Sequence, residues 1–310
     1  MKVFVPGHSG LVGSAVLRNM PDDTEVVTRT RSELDLTDYN SVFAFFQSQK
    51  FDGVILCAAR VGGIEANSKH QRSFLVENLN IQNTVISAAA DTEIQNFIFL
   101  GSACIYPKIT SQPIAETALL TGLLEPSNEG YALAKIAGLR LVKAVNEELG
   151  LNYTSLMPTN LYGPGDNFDK STSHVAAALM RKFHDSKVNG IEQVVVWGTG
   201  MPRREFMHVD DMARACWFML NKNVGGEIFN VGTGRDIQIS EYAKLMAQII
   251  GFDGVIVYDN EKPDGTPKRL LDVSKIQSMG WKHEIELELG LEQTYSWFKH
   301  AILNGEVRGY

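Results

Sequence analysis

Lys2-Val3-Phe4-Val5-Pro6-Gly7-His8-Ser9-Gly10-Leu11-Val12-Gly13 decides the fold of this chain. A short apolar run comes first, then three glycines spaced three apart, then a helical pattern. Residues 2–5 read as a strand and residues 11–20 as a helix. Glycines at such a junction allow a tight turn, a close approach of backbone to a pyrophosphate, and close helix–strand packing. The start of the following helix then faces the phosphate charge. The spacing predicts a dinucleotide site running through Gly7, Gly10, Leu11, Val12 and Gly13. Pro6 ends the strand, where its missing N–H matters only if a ladder bond is needed there.

Outward from this loop the same alternation continues. Residues 25–28, 54–58, 97–100 and 153–156 read as strands, with 54–58 a continuous apolar run suited to burial on both faces. Helices are expected over 74–90 and 131–149, and another carries Val42, Phe43, Phe45 and Phe46 behind a cap at Thr37 or Asp38. Strand alternating with helix implies a parallel sheet with right-handed crossovers. The expected class is α/β: a Rossmann-like, doubly wound parallel sheet with a smaller C-terminal α/β lobe. After residue 160 loops lengthen over 161–173, 197–206 and 259–269. Short elements follow at 194–197, 210–220, 240–250, 255–258 and 289–303. The expected division is a nucleotide-binding domain over 1–160 and a substrate lobe over 161–310, with a soft boundary that the chain can cross.

The 310 residues are 44% hydrophobic and 21% charged, as in an ordinary globular protein able to bury a core. The net charge of −7 argues against a broad nucleic-acid or anionic-membrane surface. Cys57, Cys104 and Cys216 form no CxxC pair, so neither a disulfide framework nor a metal site is signalled. No apolar run approaches the ~18 residues of a membrane span. With the glycine loop so near Met1 and no room for a signal peptide ahead of it, a cytoplasmic protein is expected.

The second strand ends at Thr28-Arg29-Thr30-Arg31. An NAD site usually carries an acidic residue there for the ribose 2′-hydroxyl. A basic tip suits a 2′-phosphate, so NADP(H) is the expected cofactor, with Arg31 on its phosphate. Tyr131 and Lys135 stand four apart on one helix face. The spacing recurs at Tyr258/Lys262 and Tyr295/Lys299, but only Tyr131 follows a nucleotide fold and has Ser102 at an upstream strand end. A phenol titrates near ~10 and is a poor acid–base group at neutrality unless a nearby ammonium favours phenolate. Ser102 could hydrogen-bond the same carbonyl oxygen, so the trio would deliver a proton to a ketone while a cofactor delivers hydride.

The glycine triplet, Ser102 and Tyr131/Lys135 resemble the extended short-chain dehydrogenase/reductases. Longer stretches narrow the likeness: Gly7-His8-Ser9-Gly10-Leu11-Val12-Gly13, Ala58-Ala59-Arg60-Val61-Gly62-Gly63, Gly101-Ser102-Ala103-Cys104-Ile105-Tyr106-Pro107, Met157-Pro158-Thr159-Asn160-Leu161-Tyr162-Gly163-Pro164, Arg204-Glu205-Phe206-Met207-His208-Val209-Asp210-Asp211 and Pro263-Asp264-Gly265-Thr266-Pro267 with Leu271-Asp272. Together they are similar to the GDP-L-fucose synthase family over nearly the whole chain. The resemblance implies the substrate GDP-4-keto-6-deoxy-D-mannose, epimerised at C3 and C5 and then reduced at C4 with NADPH. It places the epimerisation pair on Cys104 and His174. It adds Asp35, Leu100 with the Ser102 turn, Lys135, Pro158, Asn160, Leu161 and His174 to the cofactor side. Lys182, Trp197, Arg204 and Asp272 fall on the GDP-sugar side, and no metal is implied. The family's homodimer would be built from the helices near 74–90 and 131–149.

This chain departs from the family pattern in three places. Ser9 stands where the family can carry Arg, Ala103 replaces a second small hydroxyl residue, and Arg203 adds a charge of unassigned use. His208 reads as structural. Two other readings share part of the pattern: another nucleotide-sugar enzyme (a 4-epimerase or a 4,6-dehydratase) and a non-catalytic NADP-binding regulator. The acid a dehydratase would place beside Ser102-Ala103 is missing, and a 4-epimerase has no need of the Cys104/His174 pair. A regulator could lose Ser102, Tyr131 or Lys135, and all three are present.

Overall fold

The computed structural model describes residues 1–262 and 264–310; Pro263, quoted above in the 263–267 stretch, lies outside the described residues. The chain opens β1 (Lys2–Phe4), α1 (Leu11–Arg18), β2 (Glu25–Val27), α2 (Tyr39–Gln49), β3 (Gly53–Leu56), α3 (Ile64–Lys69), α4 (Gln71–Asp91) and β4 (Asn96–Leu100). Next come α5 (Glu129–Leu149), β5 (Asn152–Pro158), β6 (Asn160–Tyr162), α6 (Val175–Val188), β7 (Gln193–Trp197), β8 (Arg203–His208), α7 (Val209–Leu220) and β9 (Ile228–Val231). It closes with β10 (Asp236–Gln238), α8 (Ile239–Ile250), β11 (Val255–Asp259), β12 (Lys268–Arg269), α9 (Ser274–Ser278) and α10 (Leu287–Leu303).

The main sheet has six parallel strands in the order β2-β1-β3-β4-β5-β9. Strand order reverses about β1, which opens a crevice at its C-terminal end, where Gly7 stands. All four residues of β3 are buried, as a strand covered on both faces requires. Asp38 caps α2 by accepting from the Asn40 and Ser41 amides, and Gly150 ends α5 in the left-handed region. Helix α4 packs along α5 and α1 along α7. The α1–α7 contact is tied by Trp217, whose indole donates to the Val16 carbonyl at 3.0 Å.

The described residues form two hydrophobic cores. The first surrounds the six-stranded sheet; the second joins α6, α8 and α10 with β7. Neighbouring residues of β8 serve both: Phe206 faces the second core and Met207 the first. Helix α7 and β9 come after the second lobe has begun but pack into the first core, so the chain crosses between lobes rather than dividing once near residue 160.

The loops expected over 161–173 and 197–206 hold strand at their edges. Here β6 pairs with β8, Asn160 opposite Phe206 and Tyr162 opposite His208, and β8 also pairs with β10 and β12. Two- and three-residue strands carry almost no periodicity, so distant pairing, not local pattern, creates them.

Candidate active site

The glycine loop has the shape a pyrophosphate needs. Gly7 sits at φ +86°, and a Cβ there would lie 2.5 Å from the Ala58 nitrogen on the neighbouring strand end. A Cβ on Gly13 would lie 2.1 Å from the Gly7 carbonyl oxygen. Gly10 is less constrained, since its Cβ would reach only 3.4 Å from that oxygen. Gly10 is the N-cap of α1 and brings no side chain to the cap, so the first-turn amides around Leu11, Val12 and Gly13 are not spent on a protein side chain. The imidazole Nδ1 of His8 is buried without a partner at the same turn. These residues fit a dinucleotide.

At the tip of β2 the two arginines separate. Arg29 lies over the Phe45 ring at 5.0 Å and donates to the Thr28 carbonyl. Arg31 stays exposed beside Asp35. The Asp35 carboxylate accepts from the amide and hydroxyl of Thr37, which holds it below the usual carboxylate range.

Ser102 stands two residues past β4 and caps a one-turn helix over Ala103–Ile105, its Oγ accepting from the Cys104 amide at 3.2 Å. Tyr131 and Lys135 project from the first turns of α5. Lys135 is 4% exposed. Its Nζ donates to the Leu100 carbonyl at 2.8 Å and lies 5.8 Å from the centre of the Tyr131 ring. Burial pulls the ammonium down to about 8. Tyr131 moves opposite to the sequence expectation. Burial, then the neighbouring Cys104 thiol, drive its phenol well above the ordinary value, and the Ser102 hydroxyl only partly opposes them. Tyr131 is therefore held as a neutral O–H donor, and Lys135 is anchored to the strand end.

Cys104 lies two residues past Ser102, and its Sγ accepts a hydrogen bond from Asn128 Nδ2 at 3.2 Å. His174 is the N-cap residue of α6 and remains exposed. The protein around its imidazole, and then the charge of Arg308, hold it below its ordinary value, so it is neutral near pH 7. The loop before it is latched to the first lobe, since the Gly63 amide donates to the Thr172 carbonyl at 3.0 Å. Pro158 ends β5, and Asn160 and Leu161 open β6, where Asn160 Nδ2 donates to the Glu205 carbonyl at 2.8 Å.

Alternation along β8 and β12 sorts four cations into two pairs. Arg203 and Lys268 sit opposite each other and share Asp236, at 2.5 and 3.0 Å. That gives Arg203, unassigned in the sequence, a structural role. Arg204 and Arg269 are also opposite each other. Arg204 forms no ion pair among the described residues, and burial with Arg269 beside it lowers the guanidinium to about 10. Arg269 donates to the Ala103 carbonyl at 2.6 Å, beside Cys104. Two neighbouring guanidiniums, neither in an ion pair among the described residues, call for an anion.

Lys182 donates to the Val195 carbonyl, and its Nζ lies 5.2 Å from the Trp197 ring centre, where burial lowers it. Lys262 lies 5.4 Å from the same ring, which is 54% exposed. Asp272 accepts from the Ser274 amide at 2.9 Å and so caps the turn into α9. The structure adds two residues the sequence did not single out. Asn128 touches the thiol, and nothing local marks it except its place just before a helix. Glu205 is fully buried and accepts from the amides of Thr233, Gly234 and Leu271, tying β8 to both neighbouring segments. His208 is also buried, its Nδ1 accepting from the Asp210 amide.

The NAD dependent epimerase/dehydratase family profile matches residues 3–232. GDP-L-fucose synthase 1 of Arabidopsis thaliana is 50% identical over 305 residues, covering 98% of this chain and 94% of that protein. GDP-L-fucose synthase of Escherichia coli (strain K12) is 48% identical over 309 residues, covering 96% of each. The crystal structure of a GDP-L-fucose synthetase from Naegleria fowleri bound to NADP superposes with a TM-score of 0.90 at 29% identity, covering 98% of this chain and 94% of that one. The chain belongs to the NAD dependent epimerase/dehydratase family and, within it, to the GDP-L-fucose synthases.

Proposed function

We propose that this chain is an NADP-dependent GDP-L-fucose synthase that epimerises GDP-4-keto-6-deoxy-D-mannose at C3 and C5 and reduces the C4 ketone. The observation that carries this reading is the convergence on one turn. Ser102 and Cys104 flank Ala103, Arg269 of the second lobe holds the Ala103 carbonyl, and Cys104 lies close enough to Tyr131 to raise its phenol.

The C4 ketone acidifies the hydrogens on C3 and C5. Cys104 as thiolate takes each hydrogen as a proton and releases it to solvent. His174 first takes up a solvent proton to become imidazolium and then returns it to the opposite face, which leaves the neutral imidazole ready for the next round. Ser102 and Tyr131 donate hydrogen bonds to the ketone oxygen as it becomes an enolate. Because burial keeps Tyr131 protonated, the same phenol then hands its proton to that oxygen. NADPH, when bound, would supply the hydride to C4. Gly7 to Gly13 hold its pyrophosphate, with Arg31 and Asp35 at the adenosine ribose. Leu100, Ser102, Lys135, Pro158, Asn160, Leu161 and His174 line the nicotinamide side. Arg204 takes the substrate diphosphate, while Lys182, Trp197 and Asp272 hold the rest of the GDP moiety.

The two lobes then divide the ligands, nucleotide cofactor on the first and GDP-sugar on the second. Exposed Val76 on α4 and Leu133 on α5 support a homodimer through these helices, which sedimentation would test. Three free cysteines support a cytoplasmic setting, and among the described residues no helix is long and apolar enough to cross a membrane.

The deciding experiment mixes purified protein, GDP-4-keto-6-deoxy-D-mannose and NADPH, and identifies the product. GDP-L-fucose with NADPH oxidised supports the reading; no oxidation by protein that still binds NADP overturns it. Cys104→Ser should suppress incorporation of solvent deuterium at C3 and C5, and Tyr131→Phe should abolish reduction.

A further inference from the structure

The loop between β6 and α6 ends at His174 and is gripped from two sides. On one side lie residues 307–310. The Phe168 amide donates to the Arg308 carbonyl at 2.9 Å. Arg181 of α6 bridges loop and segment, donating to the Phe168 carbonyl at 2.7 Å and the Gly309 carbonyl at 2.6 Å. Gly309 lies at φ +79°, and a Cβ there would sit 2.7 Å from both Asn167 and Asp169, so only glycine permits this approach. The Tyr310 ring covers the Arg181 guanidinium at 4.5 Å and meets Phe298 edge-on at 5.5 Å, while its hydroxyl donates to Asp185 at 2.9 Å. Phe168 is fully buried against Phe298, with ring centres 4.4 Å apart.

On the other side is the first lobe. Thr172 accepts from the Gly63 amide, and a Cβ on Gly63 would lie 2.8 Å from the Ser173 carbonyl oxygen. Within the loop the Asp169 carboxylate accepts from the amides and hydroxyls of both Ser171 and Thr172, so the turn ahead of His174 is stiff. A stiff turn clamped at both ends fixes where the next residue points.

We propose that residues 307–310 are a strap that holds the 163–174 loop in register with the first lobe and so aims His174 at the sugar ring, which makes Arg181 and Tyr310 positioning residues for epimerisation far more than for reduction. The inference rests on the reading of His174 as the second epimerisation group. Reduction is the less affected step because Ser102, Tyr131 and Lys135 stand just past β4 and on α5, which the strap does not touch, and of the residues assigned to the nicotinamide side only His174 lies on the strapped loop.

The test uses the full chain with Arg181→Met, Tyr310→Ala and Tyr310→Phe. Hydrogen–deuterium exchange should show faster uptake over 163–174 in the first two variants and little change in Tyr310→Phe, which keeps the ring over Arg181. With substrate and NADPH in D2O, Arg181→Met and Tyr310→Ala should lose about tenfold in deuterium incorporation at C3 and C5. Ketone that escapes epimerisation should then be reduced directly, so the product gains a 6-deoxy sugar of unchanged C3 and C5 configuration. Parent-like exchange in folded variants overturns the proposal, and so does a parallel fall of epimerisation and reduction. If Arg181→Met does not fold, Tyr310→Ala decides, since it removes a half-exposed ring. His174→Asn separates the two ideas: if it epimerises normally, the reading of His174 fails, while the deuterium uptake still reports whether the strap holds the loop.

Discussion

Asn128 donates its side-chain amide to the sulfur of Cys104 at 3.2 Å, three residues before Tyr131 on the same helix entry. The contact ties Cys104, the proposed epimerisation base, to the helix that carries Tyr131, the proposed reductive acid. Hydrogen bonds to charged groups contribute about 1.5–3 kcal/mol. Asn128→Ala should therefore slow solvent-deuterium incorporation at C3 and C5 by roughly tenfold or more. Reduction should change little, and quantifying both from one reaction checks the split.

The glycine loop offers a contrast between two neighbours. Gly13→Ala forces a Cβ to 2.1 Å from the Gly7 oxygen, whereas Gly10→Ala meets it only at 3.4 Å. Overpacking of the first kind costs about 1–3 kcal/mol or more. Gly13→Ala should lower the thermal midpoint by several degrees and abolish NADP binding in a titration. Gly10→Ala should fold with nearly the parent midpoint.

Lys135 makes stability depend on pH in a defined direction. Its folded value of about 8 lies below the ordinary 10.5. Between these values the unfolded chain holds a proton that the native chain has released, so this group's contribution to stability rises with pH across that window. Below about 8 the native state carries the full desolvation penalty. Lys135→Met removes the titration but leaves the Leu100 carbonyl without its donor. The stability gap between parent and Lys135→Met should widen in the parent's favour from pH 8 to 10, as measured by urea unfolding. A gap that narrows would contradict the burial argument.

Glu205 is buried with three backbone amides pointing at its carboxylate. Glu205→Ala leaves those donors unpaired, at about 1–3 kcal/mol for each unsatisfied buried group before relaxation. A loss of roughly 3 kcal/mol or more in denaturant unfolding is expected, with substrate affinity lost as β8 and β12 separate.

Arg203 and Arg204 should behave differently although they are adjacent. Arg203→Met leaves Asp236 with Lys268 alone and should cost stability with little effect on KM. Arg204→Met removes the guanidinium that has no carboxylate partner, so KM for the GDP-sugar should rise by tenfold or more while stability holds or improves. Steady-state kinetics alongside melting curves separate the two.

Much of this site was legible from residue types. Gly7, Gly10 and Gly13 mark a turn whose demands are local, and Tyr131 and Lys135 share a helix face because helical spacing alone puts them there. Ser102 and Cys104 share one turn for the same reason. What failed was the inferred direction for Tyr131. Spacing suggested that Lys135 would favour phenolate, but the ammonium is drawn to the Leu100 carbonyl, and burial dominates the phenol. Burial is a property of packing and cannot be read from two positions in a chain.

The sequence by itself determined the parallel α/β class and the nucleotide loop, and it supplied the candidate groups for the proposed chemistry. These depend on periodicity and short-range spacing, which the chain carries locally. Only the tertiary structure decided that β6 and β8 are strands, that α7 and β9 return to the first core, that Arg203 is spent on Asp236 while Arg204 is not, and that Asn128 meets Cys104. Each of these joins segments distant in sequence through backbone pairing or buried side chains. Their energies come from excluding water across the whole core, so no single stretch of sequence contains them.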